Sequence, residues 1–304
     1  MDIGFHIPDL LYHHRLNIIL FETMKKNPEY FYEGVKIASV YGTFPGAVWN
    51  GGRLFIDAET DDKTMRMCIE DYNSRGIPVR FTFTNPLITK EYLGNSYCNR
   101  MLRAGNNGMN DVIINSPVLE EYIRENYPKY KITSSTCKEL RTAEAVNAEL
   151  EKDYNIVVLD YNWNNNFEFL EKLDHKDKVE LLINACCIPN CPRRGEHYRY
   201  IGQVHLDYEK ARTSMQKSIN VAEFQCPYRN NSLYDITEYP TYISPEDIIN
   251  KYAPMGFKHF KIEGRSSLDV STLEYFVHYM VKPEYQGRAR LEMSAWLTEN
   301  SRFI

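Results

Sequence analysis

NIVVLDY (155–161) and KVELLINA (178–185) are short runs, mostly apolar, without a clean alternation of polar and apolar residues. A strand that reads this way is covered on both faces, as parallel strands beneath helices are. Working outward, VKIASVY (35–41), IPVRFTFT (77–84), DVIIN (111–115), YKITSS (130–135), VAEFQC (221–226) and FKHFKIE (257–263) complete a set of eight candidate strands. Helical segments separate them. Ser116-Pro117 before VLEEYIREN and Ser244-Pro245 before EDIINKY are N-caps followed by Pro at the first helical position. Asp61 and Asp62 open a helix that stops at Gly76. Ser266, Ser267 or Asp269 caps the last helix, whose apolar positions include Leu273 and Phe276.

Eight βα units in 304 residues predict an α/β fold, a (β/α)8 TIM-like barrel with an added N-terminal helix. Residues 1–34 are expected to be a helical extension closing the barrel bottom or side, and 35–304 the barrel domain. A doubly wound open sheet would want a glycine-rich phosphate turn after its first strand. GTFPGAVWNGGR (42–53) has the wrong spacing and opens no clear helix.

The composition is 43% hydrophobic and 25% charged, with a net charge of -5. That disfavours a strongly basic nucleic-acid module, although a local basic patch is still compatible with it. No apolar run is long enough to span a bilayer. The start, MDIGFHIPDLLYHHRL, has no basic stretch followed by an apolar one. The expectation is a cytoplasmic globular protein.

Seven cysteines are present. An odd count argues against a secreted disulfide framework. Barrels place their chemistry in the loops after the strands. Cys186, Cys187 and Cys191 follow the sixth candidate strand, Cys226 ends the seventh, Cys98 follows the second and Cys137 the fourth. Six of the seven are therefore expected on one face. The exception is Cys68, which lies with Met65, Ile69 and Tyr72 on the buried stripe of a helix. Converging thiols are soft ligands that suit zinc, copper(I) or iron–sulfur centres. Four of them satisfy a 4Fe–4S cluster or a zinc site made of four cysteines. The paired C-x2-C knuckles of a zinc ribbon are absent.

LLINACCIPNCPRRGEHYRY (181–200) and FKHFKIEGRSSL (257–268) resemble segments of peptidase U32, the collagenase-like peptidase family. SSTCKEL (134–140) is similar to its fourth-strand STQ region, with Cys137 where Gln is usual. FTFTNPLI (81–88) followed by YCNRML (97–102) resembles a subgroup with an extra cysteine after the second strand. The resemblance covers roughly residues 35–285. It implies either peptidase activity, from which the family is named, or oxygen-independent hydroxylation. Members of the second kind act on ubiquinone precursors, tRNA or ribosomal RNA, hold a 4Fe–4S cluster on four cysteines, and in some cases take oxygen from prephenate. Carried onto this sequence, the ligands are Cys187, Cys191 and Cys226, with Cys98 as the fourth and Cys137 and Cys186 as rivals. Neighbours on an extended segment point to opposite sides, so one of Cys186 and Cys187 is expected to face away. The chain is shorter than the two-domain members, which weighs against an RNA substrate; a nucleic-acid base is still compatible with the resemblance.

Other side chains fall where a barrel site belongs. Glu263 and Arg265 end the last candidate strand, and Gly264 between them permits close backbone approach. With Ser266 and Ser267 at a helix start they suit an anion. They are candidate catalytic residues, with His197 as a proton donor or orienting group. Arg193 and Arg194 are candidates for bidentate pairing with a carboxylate-bearing molecule, and Glu196 for their ion-pair partner. Arg53 and Asn85 are expected to bind substrate, with Asn115, Asp160, Asn162 and Asn184 as further strand-end polar groups. The 23 tyrosines are scattered, as packing residues are.

The leading expectation is an iron–sulfur hydroxylation-type enzyme acting on a small molecule or a nucleic-acid base, with prephenate as one candidate partner and an electron-donor protein as another. A peptidase is the alternative, although no H-E-x-x-H run and no local cysteine-peptidase signature occurs. A zinc-binding scaffold is the third.

Overall fold

The computed structural model describes residues 2–214, 222–226, 233–265 and 267–299. Eight parallel strands run in chain order and close into a barrel: β1 (Ile3–Pro8), β2 (Val35–Gly42), β3 (Val79–Phe83), β4 (Asp111–Ile114), β5 (Lys131–Ser134), β6 (Ile156–Val158), β7 (Val179–Leu182) and β8 (His259–Lys261). β8 returns to β1, with Phe260 opposite Phe5. The helices are α1 (His14–Lys26), α2 (Asp62–Ser74), α3 (Ser96–Gly105), α4 (Pro117–Asn126), α5 (Ala143–Leu150), α6 (Phe167–Glu171), α7 (Arg194–Thr213), α8 (Leu233–Thr237), α9 (Pro245–Asp247), α10 (Asp269–Met280) and α11 (Gln286–Glu299). The expected (β/α)8 barrel is therefore present.

Two expectations about its parts are corrected. Residues 1–34 are not simply a helical extension. Ile3–Pro8 is the first barrel strand, and α1 follows it. All six residues of β1 are buried, yet Gly4, His6 and Pro8 interrupt the continuous apolar run that marks the other strands. A Cβ at Gly4 would come within 2.9 Å of the Ala38 Cβ, so the small residue there lets β1 lie against β2. The second correction concerns VAEFQC. Residues 222–226 form no strand, and Val221 lies outside the described residues. β7 pairs directly with β8, Leu181 opposite Phe260, so no strand fits between them.

Three of the four helix-start signals act as read, and the expected cap of the last helix is corrected. Asp61 caps α2 by accepting from the Lys63 and Thr64 N–H groups, and Ser116 caps α4 with Pro117 in its first turn. Ser244 accepts from Asp247 N–H, and α9 continues into a π-turn over Ile248–Tyr252. α10 starts after Leu268, which supplies no side-chain cap; Asp269 is its first residue, and Ser266 lies outside the described residues.

The apolar core fills the space between the sheet and the helices, as where Phe5 meets Phe260 and Tyr279. The barrel's own interior is charged. Arg80 on β3 crosses to pair with Glu180 on β7 and donates to Thr133 Oγ1 on β5 at 3.0 Å. His6 on β1 bonds Ser39 Oγ at 2.7 Å and His259 Nδ1 at 3.0 Å. Burial raises the Glu180 carboxyl, but Arg80, His6 and Lys261 outweigh it and hold Glu180 well below the usual carboxylate range. Removing one member would strand its partner's charge in the dry interior. This layer forms the floor beneath the mouth.

Candidate functional site

The C-terminal ends of the strands surround two neighbouring spaces. The upper one is a cavity of about 650 Å³, within the usual size of a small-molecule site. Cys186, Cys187, Cys191 and Cys226 all border it, together with Arg53, Glu263, Arg265 and His197. Below it is a smaller cavity of about 80 Å³, bordered by Tyr41, Thr82, Ser135, Cys137 and Lys261. Arg53, Leu182, Tyr198, Glu263 and Arg265 border both and form the wall between them.

The segment after β7 carries three of the thiols. Asn184 fixes it to the end of β8 by accepting from Glu263 N–H at 2.6 Å and donating to the Glu263 carbonyl at 2.9 Å. Glu263 then accepts from Cys186 N–H at 2.9 Å with one carboxylate oxygen and pairs with Arg53 through the other. The chain bends at Cys187 and is not extended, so Cys186 and Cys187 both reach the cavity. The Cys186 thiol contacts the Asn184 carbonyl at 3.7 Å and the Tyr275 hydroxyl on α10, which borders neither cavity, whereas Cys187 packs beside Tyr161 and Leu182 at the cavity wall. Burial raises the Cys186 thiol and the Arg53 charge lowers it; the raised value prevails.

Cys98 is not at the mouth. It lies in α3, fully buried, and burial pushes its thiol far up. Cys98, Met101, Leu102 and Gly105 are spaced i, i+3, i+4 and i+7 and are all buried, the same stripe that Cys68 shares with Met65, Ile69 and Tyr72. That periodicity was the available signal. Cys68 is core, as expected, and contacts the Leu10 carbonyl at 2.9 Å. Cys137 borders the lower cavity only.

Two residues expected to bind substrate are tied into the scaffold, although Arg194 also borders the upper cavity. Arg194 is 4% exposed. It donates to Asp160 Oδ1 at 2.8 Å, to the Thr136 carbonyl and hydroxyl at 3.1 and 3.0 Å, and to Tyr198 OH at 2.9 Å, with Tyr161 stacked 4.5 Å away. It clamps the loops after β5 and β6 to α7. Asn85 is fully buried, donates to the Val48 and Gly202 carbonyls and accepts from Leu87 N–H. It borders neither cavity. Arg193 does border the upper cavity, but it is exposed, bidentate on Glu196 and bonded to the Gln225 carbonyl at 2.6 Å. Its guanidinium lies 4.3 Å from the Phe224 ring, and His197 stacks on the same ring at 4.4 Å.

Arg265 behaves differently. Its guanidinium donates to Thr82 Oγ1 at 2.7 Å, Asn50 Oδ1 at 3.0 Å and the Gly51 carbonyl at 2.8 Å. All three acceptors are neutral, and burial lowers its pKa. Asn50 also meets His205 Nε2 at 3.1 Å, and burial pushes His205 down to about 4. Asn50, Thr82, Tyr41, Tyr198 and Lys261 are site residues that the sequence reading missed.

No family model and no curated protein matches this chain. Its backbone is similar to the solved structure of the U32 peptidase Mk0906, with a TM-score of 0.51 at 14% identity, over 87% of this chain and 93% of that one. Likeness at that identity is likeness of fold. Among the described residues no helix is long and apolar enough to cross a membrane.

Four thiols around one cavity have the chemistry and the number that a 4Fe–4S cluster or a four-cysteine zinc site requires. Among the described residues no three His, Cys, Asp or Glu side chains stand close enough together to grip an ion as placed. The donor set fits, and its arrangement is looser than a loaded centre needs.

Proposed function

We propose that this chain is an iron–sulfur enzyme of the oxygen-independent hydroxylation type, related to the U32 family and working in the cytoplasm. The observation that carries the reading is that Cys186, Cys187, Cys191 and Cys226 all line one cavity at the C-terminal mouth of a barrel. Cys186 takes the fourth position that the sequence reading gave to Cys98. A cluster bound there would supply electron transfer or an open iron site to the substrate. The substrate is a small molecule in the upper cavity, with a carboxylate such as prephenate as one oxygen source and an electron-donor protein as partner.

The chain's own residues have definable tasks in this reading. Glu263 orients the thiol segment through Cys186 N–H and carries a carboxylate at the cavity wall, where it can hold or release a proton. Arg53 pairs with that carboxylate and holds its position at the cavity wall. Arg265 offers positive charge to both cavities, and the apolar Leu182, Ile201 and Phe224 limit water.

The test is to purify the protein without oxygen and to assay iron, sulfide and zinc. About four irons and four sulfides per chain support the reading. One zinc and no iron would favour the structural or hydrolytic alternative.

A further inference from the structure

We propose that the lower cavity captures a small 2-oxo carboxylate, its carboxylate on Arg265 and its carbonyl carbon condensed with the Lys261 amine as an imine. The thiols play no part in this step, so the inference stands apart from the metal reading.

Lys261 is the one lysine among the described residues that borders the cavities at the barrel mouth. Its side chain is 11% exposed, and its amine sits 4.0 Å from the centre of the Tyr41 ring. The groups that face it come from several strands: Glu180 on β7 at 3.4 Å, Arg80 on β3, Tyr41 on β2, His6 on β1 beyond Glu180, and Arg265 after β8. Burial pushes the amine down to about 8; Glu180 opposes the shift, and Arg80 and Arg265 add to it. A surface lysine near 10.4 holds on the order of a hundredfold less free amine at neutral pH. An amine of this kind is a carbonyl nucleophile.

The second half of the site is Arg265. A guanidinium has five N–H donors, and the bonds to Asn50, Thr82 and Gly51 use three. No carboxylate of the described residues stands within ion-pair distance of it, and Asp9 acts on it only from further away. Arg53 is already paired with Glu263. The half-buried positive charge of Arg265 therefore has room for an anionic partner, in a space large enough for only a handful of heavy atoms. In the condensation the amine nitrogen bonds to the carbonyl carbon, the carbonyl oxygen leaves as water, and the two amine protons leave with it. No oxidant or reductant is needed.

The experiment is to incubate the metal-free protein with pyruvate and cyanoborohydride, digest it, and locate the reduced adduct by mass spectrometry. The expected result is an adduct on Lys261 that forms at least about tenfold faster than on any other lysine and rises through pH 8. Acetone, which lacks the carboxylate, should label Lys261 no faster than surface lysines. The Lys261→Arg variant keeps the charge and should lose the adduct. Labelling of surface lysines with Lys261 untouched would overturn the proposal. Equal trapping of acetone at Lys261 would overturn the Arg265 pairing.

Discussion

Arg194 and Asp160 meet at 2.8 Å with both side chains almost wholly buried, and the pair ties α7 to the loop after β6. The guanidinium that the sequence suggested for a substrate is thus tied to the scaffold at the wall of the upper cavity. Arg194→Met leaves Asp160 charged and unpaired, and should cost about 3–5 kcal/mol in denaturant unfolding. Arg193→Met removes an exposed pair and should leave the unfolding midpoint in place. A stable Arg194→Met protein that had lost only ligand binding would return Arg194 to the substrate.

His205 makes stability sensitive to acid. It is buried beside Asn50, and its pKa falls to about 4 from an ordinary 6.5 because burial disfavours the charged ring. Between these values the unfolded chain binds the proton and the folded chain does not. The contribution is therefore complete above about pH 6.5 and is lost as pH falls toward 4, by about 3 kcal/mol in all. His205→Gln should flatten that limb of the stability curve by this amount. Parallel curves for the two proteins would refute the assignment.

Glu263→Gln keeps an acceptor for Cys186 N–H and removes the charge that faces Arg53. The variant should fold and turn over about 10²- to 10⁴-fold more slowly if the carboxylate moves a proton. An unchanged kcat would confine Glu263 to positioning the thiol segment.

Much of this was legible in the sequence, and the failures have physical causes. The other seven barrel strands, β2 to β8, show as apolar or β-branched runs because helices cover their outer faces. β1 does not, since Gly4, His6 and Pro8 interrupt its pattern, and His6 belongs to a charged network that no local pattern reveals. The thiol segment and the Glu263–Arg265 strand end could be placed because barrel chemistry follows strand ends. Cys98 was misplaced because its loop was given priority over its helical stripe. Lys261 was passed over inside a strand, where only the closed barrel shows that its amine faces Glu180 and a cavity.

Native mass spectrometry of anaerobically reconstituted protein tests the central claim most directly. A mass excess of about 350 Da, that of one 4Fe–4S unit, should appear on the wild type and on Cys98→Ala, and should vanish in Cys187→Ser and Cys191→Ser. A wild type that carries no such excess, or a Cys98→Ala protein that loses it, would contradict a cluster held by the cavity thiols.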